Sequence, residues 1–245
     1  MLSYFKAEWL KTRKIAILSV GLIFLALSSF IGLANFFINY NVLIDNQISR
    51  VLWGQLTFYN AQLLFPAMLA IFSGMIIIPE FKRKTLEMLR VNCISIPKLI
   101  INKLVLSLIL VAVIQGLLFL IYLVTLLISQ TSFNISDLLL FFKATILSIV
   151  GSSSILMIHY YIVSKTKNFA KSVGIAAIGS FIGFIFIMLG GVLNKFFPYS
   201  QPMIALRSRS LDSMSATELI IFILVNIFYT YIFYRLTVQT LVKKQ

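Results

Sequence analysis

Residues 104–128 read LVLSLILVAVIQGLLFLIYLVTLLI. No charge interrupts the run, and about 20 apolar residues wound as a helix cross the ~30 Å hydrocarbon core of a bilayer. Without water to satisfy its amides, such a segment must close its own backbone hydrogen bonds, which a helix does. Comparable runs lie on both sides of it. The predicted spans are Ile15–Ile38, Leu56–Ile78, Leu104–Ile128, Ala144–Val163, Val173–Leu193 and Leu219–Tyr234. The last continues towards Val242, with Arg235 snorkelling to the interface. The alternating pattern of a membrane β-barrel is absent. The expected fold class is therefore all-α integral membrane, with six transmembrane helices in one domain, 1–245.

Composition agrees. The 245 residues are 60% hydrophobic and 11% charged, and mean hydropathy is +1.00. One soluble core of this size cannot hide that much apolar surface. A net charge of +14 could suggest nucleic acid, but the placement of the basic residues argues against such a partner. With the N-terminus inside, 16 of the 21 basic residues fall in cytoplasmic segments. Arg50, Lys143, Lys195, Arg207 and Arg209 are left outside. The positive-inside rule then places both termini in the cytoplasm, and the excess charge faces anionic headgroups. Ile15–Ile38 is too long for the apolar core of a signal peptide and reads as a retained span. Cys93 is the only cysteine, so no internal disulfide forms. Lysine outnumbers arginine, and Ile, Phe and Asn are frequent. This usage points to an AT-rich genome and to the cell membrane of a low-GC Gram-positive bacterium.

Three segments outside the spans carry pattern. In 1–14, Leu2, Phe5 and Trp9 lie apart from Lys6, Lys11, Arg13 and Lys14, which suits a short amphipathic helix in the headgroup plane. In 79–92, Pro79 is a natural first-turn residue. Glu80 with Lys84, and Arg83 with Glu87, are i,i+4 ion pairs. Phe81, Thr85 and Met88 form a narrow apolar stripe between them, which a plain charged linker does not need; the segment reads as a docking helix that breaks before Pro97. Finally, 194–218 is too apolar for a free extracellular loop and too interrupted to span. It is expected to re-enter the outer leaflet or cap the helices.

Several chemistries are unsupported. No Gly-rich phosphate loop ending in Gly-Lys-Ser/Thr occurs, so ATP is not bound in that manner. One histidine and one cysteine supply neither a metal cage nor a nucleophile pair. The seven acids, Glu8, Asp45, Glu80, Glu87, Asp137, Asp212 and Glu218, all lie outside the predicted spans. Ion-driven carriers place such groups inside the membrane, so transport here would be powered by another subunit. The expectation is no catalytic residues, no metal site and no cofactor.

Polar residues within the spans are neutral. Gln55, Tyr59 and Gln62, with Pro66 and Ser73, share one face of span two and its approach, and Ser148, Ser152 and His159 share one of span four. They read either as interhelical hydrogen bonding or as the lining of a path for an amphipathic substrate. Gly179 and Gly183 form a small-xxx-small face before Gly190-Gly191. It serves a dimer interface or packing within the chain.

The layout as a whole resembles the permease subunits of ABC-2 type exporters. A basic amphipathic opening (Met1 to Lys11) precedes six spans. Glu80…Lys84-Thr85-Leu86-Glu87 opens the first cytoplasmic loop, and Ile94-Ser95-Ile96-Pro97-Lys98-Leu99 leads into span three. The small size and the opening segment are most similar to lantibiotic-immunity permeases, from which Cys93 departs where relatives carry proline. The resemblance implies that Glu80, Phe81, Lys82, Arg83, Lys84, Thr85 and Glu87 belong to a coupling helix docking on a separate ABC ATPase subunit, which binds the ATP. It also implies a second permease chain, as a homo- or heterodimer, and extracellular re-entrant helices. The cargo would be an amphipathic antimicrobial peptide. Other cargoes (a bacitracin-like antibiotic, a drug or a lipid) fit the same residues, as does a membrane sensor or scaffold that binds peptide without moving it.

Overall fold

The computed structural model describes residues 2–40, 48–81, 85, 88, 91, 94–129, 134–189 and 192–243, excepting the side chains of Leu2, Ser3 and Ile187. It is all-helical over these residues. A short α1 (Leu2–Lys11) precedes α2 (Lys14–Ile38), and α3 (Ile48–Tyr59) runs through a π-helical stretch, Asn60–Leu64, into α4 (Phe65–Ile77) and a 3-10 turn, Ile78–Phe81. Then follow α5 (Ile96–Ile128), α6 (Ile135–Thr166) and α7 (Phe169–Met188). Two short helices, α8 (Val192–Phe196) and α9 (Gln201–Leu206), flank a 3-10 turn at Pro198–Ser200 and precede α10 (Ala216–Lys243).

Six of these helical segments are long and apolar enough to cross a membrane: Lys14–Ile38, Ile48–Phe81, Ile96–Ile128, Ile135–Thr166, Phe169–Phe186 and Ala216–Lys243. Most overrun the predicted limits. Hydropathy marks only the oily stretch, whereas the helix continues into charged turns. At 1.5 Å per residue, the 33 residues of α5 measure about 50 Å, so its ends project well past the ~30 Å hydrocarbon. Lys98 and Lys103 lie in one such extension, and Asp137 and Lys143 lie in that of α6.

Local chemistry sets the breaks. Asn134 caps α6 by accepting from Ser136 N (3.0 Å), and Asn168 caps α7 by accepting from Lys171 N (3.0 Å). Between α6 and α7, Lys167 takes a left-handed conformation (φ 52°), which lets the two helices turn back within a few residues. In span two, Pro66 cannot donate to the carbonyl four residues back. The ladder widens there into the π-helical stretch instead of breaking.

Helix α6 is the hub, with α10, α4, α5 and α9 packed along it. At the end opposite α1, Trp53 stacks on Phe141 (4.7 Å) and meets Tyr122 edge-on (5.2 Å). Lipid tails are as apolar as these side chains, so helix association depends on close packing and interhelical hydrogen bonds. Both are present. A Cβ on Gly32 would fall 2.6 Å from the Gln55 carbonyl, so α2 rests on the α3 backbone. Asn35 donates to Gln55, and Asn60 to Ser28 (3.1 Å).

Candidate functional site

Two polar assemblies stand out from the apolar bundle. The first lies at the α1 end. Glu8 sits three residues after Phe5, on the face of α1 turned to the bundle, and is buried. Glu80 closes span two and Lys103 opens the oily part of α5; they are 2% and 1% exposed. Lys103 Nζ reaches Glu8 Oε2 (2.5 Å), Glu80 Oε1 (2.6 Å) and the Ile76 carbonyl (3.4 Å). Lys11 Nζ donates to both oxygens of Glu80 (2.6 and 2.8 Å). Two carboxylates and two ammonium groups thus neutralise one another across three helices. Tyr160 OH donates to the Lys103 carbonyl (2.9 Å) and pairs with Ser107 (2.6 Å), which adds α6 to the assembly.

Here the chain leaves span two for the predicted docking segment. Glu80 is buried, bonded to Lys11 and Lys103 of other helices. Phe81 is half-buried, with Lys167 of the α6–α7 turn 5.8 Å from its ring centre. Thr85 is helical and half-buried, and Met88 and Val91 are helical and exposed. Lys82, Arg83, Lys84 and Glu87 lie outside the described residues, as do Cys93 and Gly190-Gly191.

The second assembly surrounds the α8–α9 hairpin. Its turn is buried between α6, α7 and α10. Tyr199 OH pairs with His159 Nε2 (3.2 Å), and His159 Nδ1 with Ser172 Oγ (2.8 Å). Asn226 Nδ2 donates to Gln201 Oε1 (3.1 Å), while Ser154 Oγ donates to Asn226 Oδ1 (2.9 Å). Gly179 and Gly183 face this hairpin. A Cβ on Gly179 would lie 2.7 Å from the Tyr199 ring, and one on Gly183 would lie 3.0 Å from Ser200 Oγ. The small-residue face of α7 is therefore occupied within the chain.

The six residues predicted as a path lining make separate contacts within the chain. Gln55 accepts from Asn35, and Gln62 donates to the Ser180 carbonyl (3.1 Å). Tyr59 sits edge-on to Phe58. Ser148 and Ser152 bond back into α6 at Thr145 and Ile149 (2.7 and 2.6 Å). His159 is sealed between Ser172 and Tyr199. Glu8, Lys103, Tyr199 and Asn226 were not singled out from the sequence. The one available signal was Glu8, a carboxylate on the apolar face of an amphipathic helix, which demands a buried cation.

The sequence profile described as ABC-2 family transporter protein matches residues 4–183. This chain belongs to the ABC-2 transporter family. No curated protein matches it, and no solved structure does. The family match runs from α1 into α7 and so includes the ion cluster; the hairpin and α10 lie beyond it. Membership makes the chain a multi-pass membrane component of an ABC transporter and implies an ATPase subunit as partner. Among the described residues, no three His, Cys, Asp or Glu side chains group as a metal-ligand set.

Proposed function

We propose that this chain is the permease subunit of an ATP-driven exporter that expels a lantibiotic or similar amphipathic antimicrobial peptide, giving self-immunity. Both termini lie in the cytoplasm, the α8–α9 hairpin re-enters from outside, and a second permease chain completes the pathway. ATP is bound and hydrolysed by the separate subunit. The peptide cargo is supported by the likeness of the amphipathic segment 1–11 to that of immunity permeases.

The observation that carries the coupling role is the pair of bonds holding Glu80 to Lys103 and Lys11. Segment 79–92 docks on the ATPase through the stripe that includes exposed Met88. A push on that segment is delivered at Glu80. Because Glu80 is buried and ionically tied, it cannot move without drawing α1 and α5 with it. The four-charge cluster thus joins the docking segment to α1 and the third span as one mechanical unit.

The test uses the whole operon with and without this chain, and with Met88→Glu. The expected result is peptide sensitivity in both altered strains and loss of ATPase co-purification from Met88→Glu, with membrane levels of the permease unchanged. Full peptide tolerance without the chain would overturn the immunity role, and retained ATPase binding by Met88→Glu would overturn the docking role.

A further inference from the structure

One site remains between the hairpin and α10. A cavity of 210 Å3 is lined by Asn194, Lys195, Arg207, Arg209, Ser210 and Glu218, with an apolar floor that includes Met203, Ile221 and Phe222. Three cations face one carboxylate. Arg207 is already engaged by the Asp212 carbonyl (2.6 Å) and Glu218 (3.4 Å), and Lys195 lies 3.9 Å from Glu218. Arg209 is exposed and has no partner among the described residues, so the cavity retains uncompensated positive charge. It also retains an unmet acceptor. Asn194 is 8% exposed, and its Oδ1 has no hydrogen-bond partner among the described residues.

Directly beside this cavity runs an apolar groove of 570 Å3, bounded by Phe196 of the hairpin and by Leu224, Ile227, Phe228 and Tyr231 of α10. The two spaces follow one face of α10: Ile221 of the cavity lies three and four residues before Leu224 and Val225 of the groove. From Leu224 to Tyr231 the groove descends about 10 Å, about a third of the ~30 Å hydrocarbon.

We propose that this composite site holds one anionic phospholipid with a hydroxylated headgroup, of the phosphatidylglycerol type. Its phosphate meets Lys195 and Arg209, its headgroup hydroxyls donate to Glu218, and an acyl chain follows the α10 groove. Ordinary lipid contact explains the groove alone. It does not explain a cationic cavity at the head of the groove with a buried acceptor and a free guanidinium. The proposal rests on the membrane-spanning fold and is independent of the peptide cargo.

The full chain in detergent is titrated with phosphatidylglycerol, with phosphatidylcholine and with glycerol 3-phosphate, and retention is read by native mass spectrometry. Phosphatidylglycerol should be retained at least about ten-fold more tightly than phosphatidylcholine. Each cation removed should weaken it about five-fold, so Lys195→Ala with Arg209→Ala weakens it about 25-fold. Leu224→Trp should obstruct the tail and weaken the lipid further. Equal retention of the two lipids overturns the proposal, as does unaltered binding by Arg209→Ala alone, whose exposed side chain the fold does not use. Glycerol 3-phosphate binding as tightly as the lipid would mark a soluble-anion site and also overturn it. Neither ATPase nor export enters this readout, so failure of the peptide role leaves it interpretable.

Discussion

Lys103 Nζ lies 2.6 Å from Glu80 Oε1, and both side chains are sealed from solvent. Removing one partner of a buried ion pair leaves an uncompensated charge and costs about 3–5 kcal/mol. Lys103→Met therefore lowers the thermal midpoint of the detergent-purified protein substantially. Glu8 bonds the same ammonium group, so its neutralisation is coupled to that loss. Glu8→Gln placed on Lys103→Met should cost at least about 1 kcal/mol less than it does in the parent chain. Additive losses would show that Glu8 and Lys103 do not share one network.

The proposed docking segment and its anchor should separate by phenotype. Met88→Glu alters an exposed side chain and should leave stability within about 0.5 kcal/mol while abolishing capture of the ATPase. Glu80→Gln keeps the side-chain shape but removes the charge that holds Lys11 and Lys103. It should retain the ATPase and lose peptide tolerance, with α1 more readily cut by trypsin at Lys11 and Arg13. Loss of ATPase capture from Glu80→Gln at normal expression would move Glu80 into the docking surface itself.

The spans were legible because hydropathy is local: any window of residues 104–128 reports its preference for lipid. The ion cluster was not, because Glu8 and Lys103 are 95 positions apart and nothing near either names the other. Glu80 is met by Lys11 and Lys103 of other helices, partners its own surroundings do not announce, while its i,i+4 neighbour Lys84 lies outside the described residues. Segment 194–218 announced itself by being too apolar for a loop. Its partners His159 and Asn226 did not, since a polar residue in a span looks the same whichever helix satisfies it. The Gly179–Gly183 face likewise signals close approach without saying of what.

That face gives a sharp comparison. A Cβ on Gly179 falls 2.7 Å from the Tyr199 ring. Gly179→Ala should displace the hairpin and cost about 1–3 kcal/mol, the range for overpacking a tight contact. Tyr199→Ala should relieve part of the cost in the double variant, because it removes the ring that clashes. Were the glycine face an intersubunit contact, Gly179→Ala would change the oligomeric state and Tyr199→Ala would bring no relief. Size-exclusion chromatography with light scattering, beside thermal midpoints, separates the two outcomes.

Asn226 places the strongest demand on the hairpin. Its amide donates to Gln201 Oε1 and accepts from Ser154 Oγ, joining α10, α9 and α6 at one buried point. Asn226→Leu preserves bulk but strands Gln201 Oε1 and deprives Ser154 of its cross-helix acceptor. A buried polar atom left unmet costs about 1–3 kcal/mol. Ser154 still donates to the Gly151 carbonyl (3.1 Å), so the loss falls mainly on Gln201. Asn226→Leu should therefore destabilise the protein by about 1–3 kcal/mol and open the hairpin to labelling at a cysteine placed at Ser200. Adding Gln201→Met, which removes the stranded acceptor, should recover most of the stability. No recovery would mean that Asn226 stabilises the bundle through Phe222 and Ser154 on its own, without the hairpin.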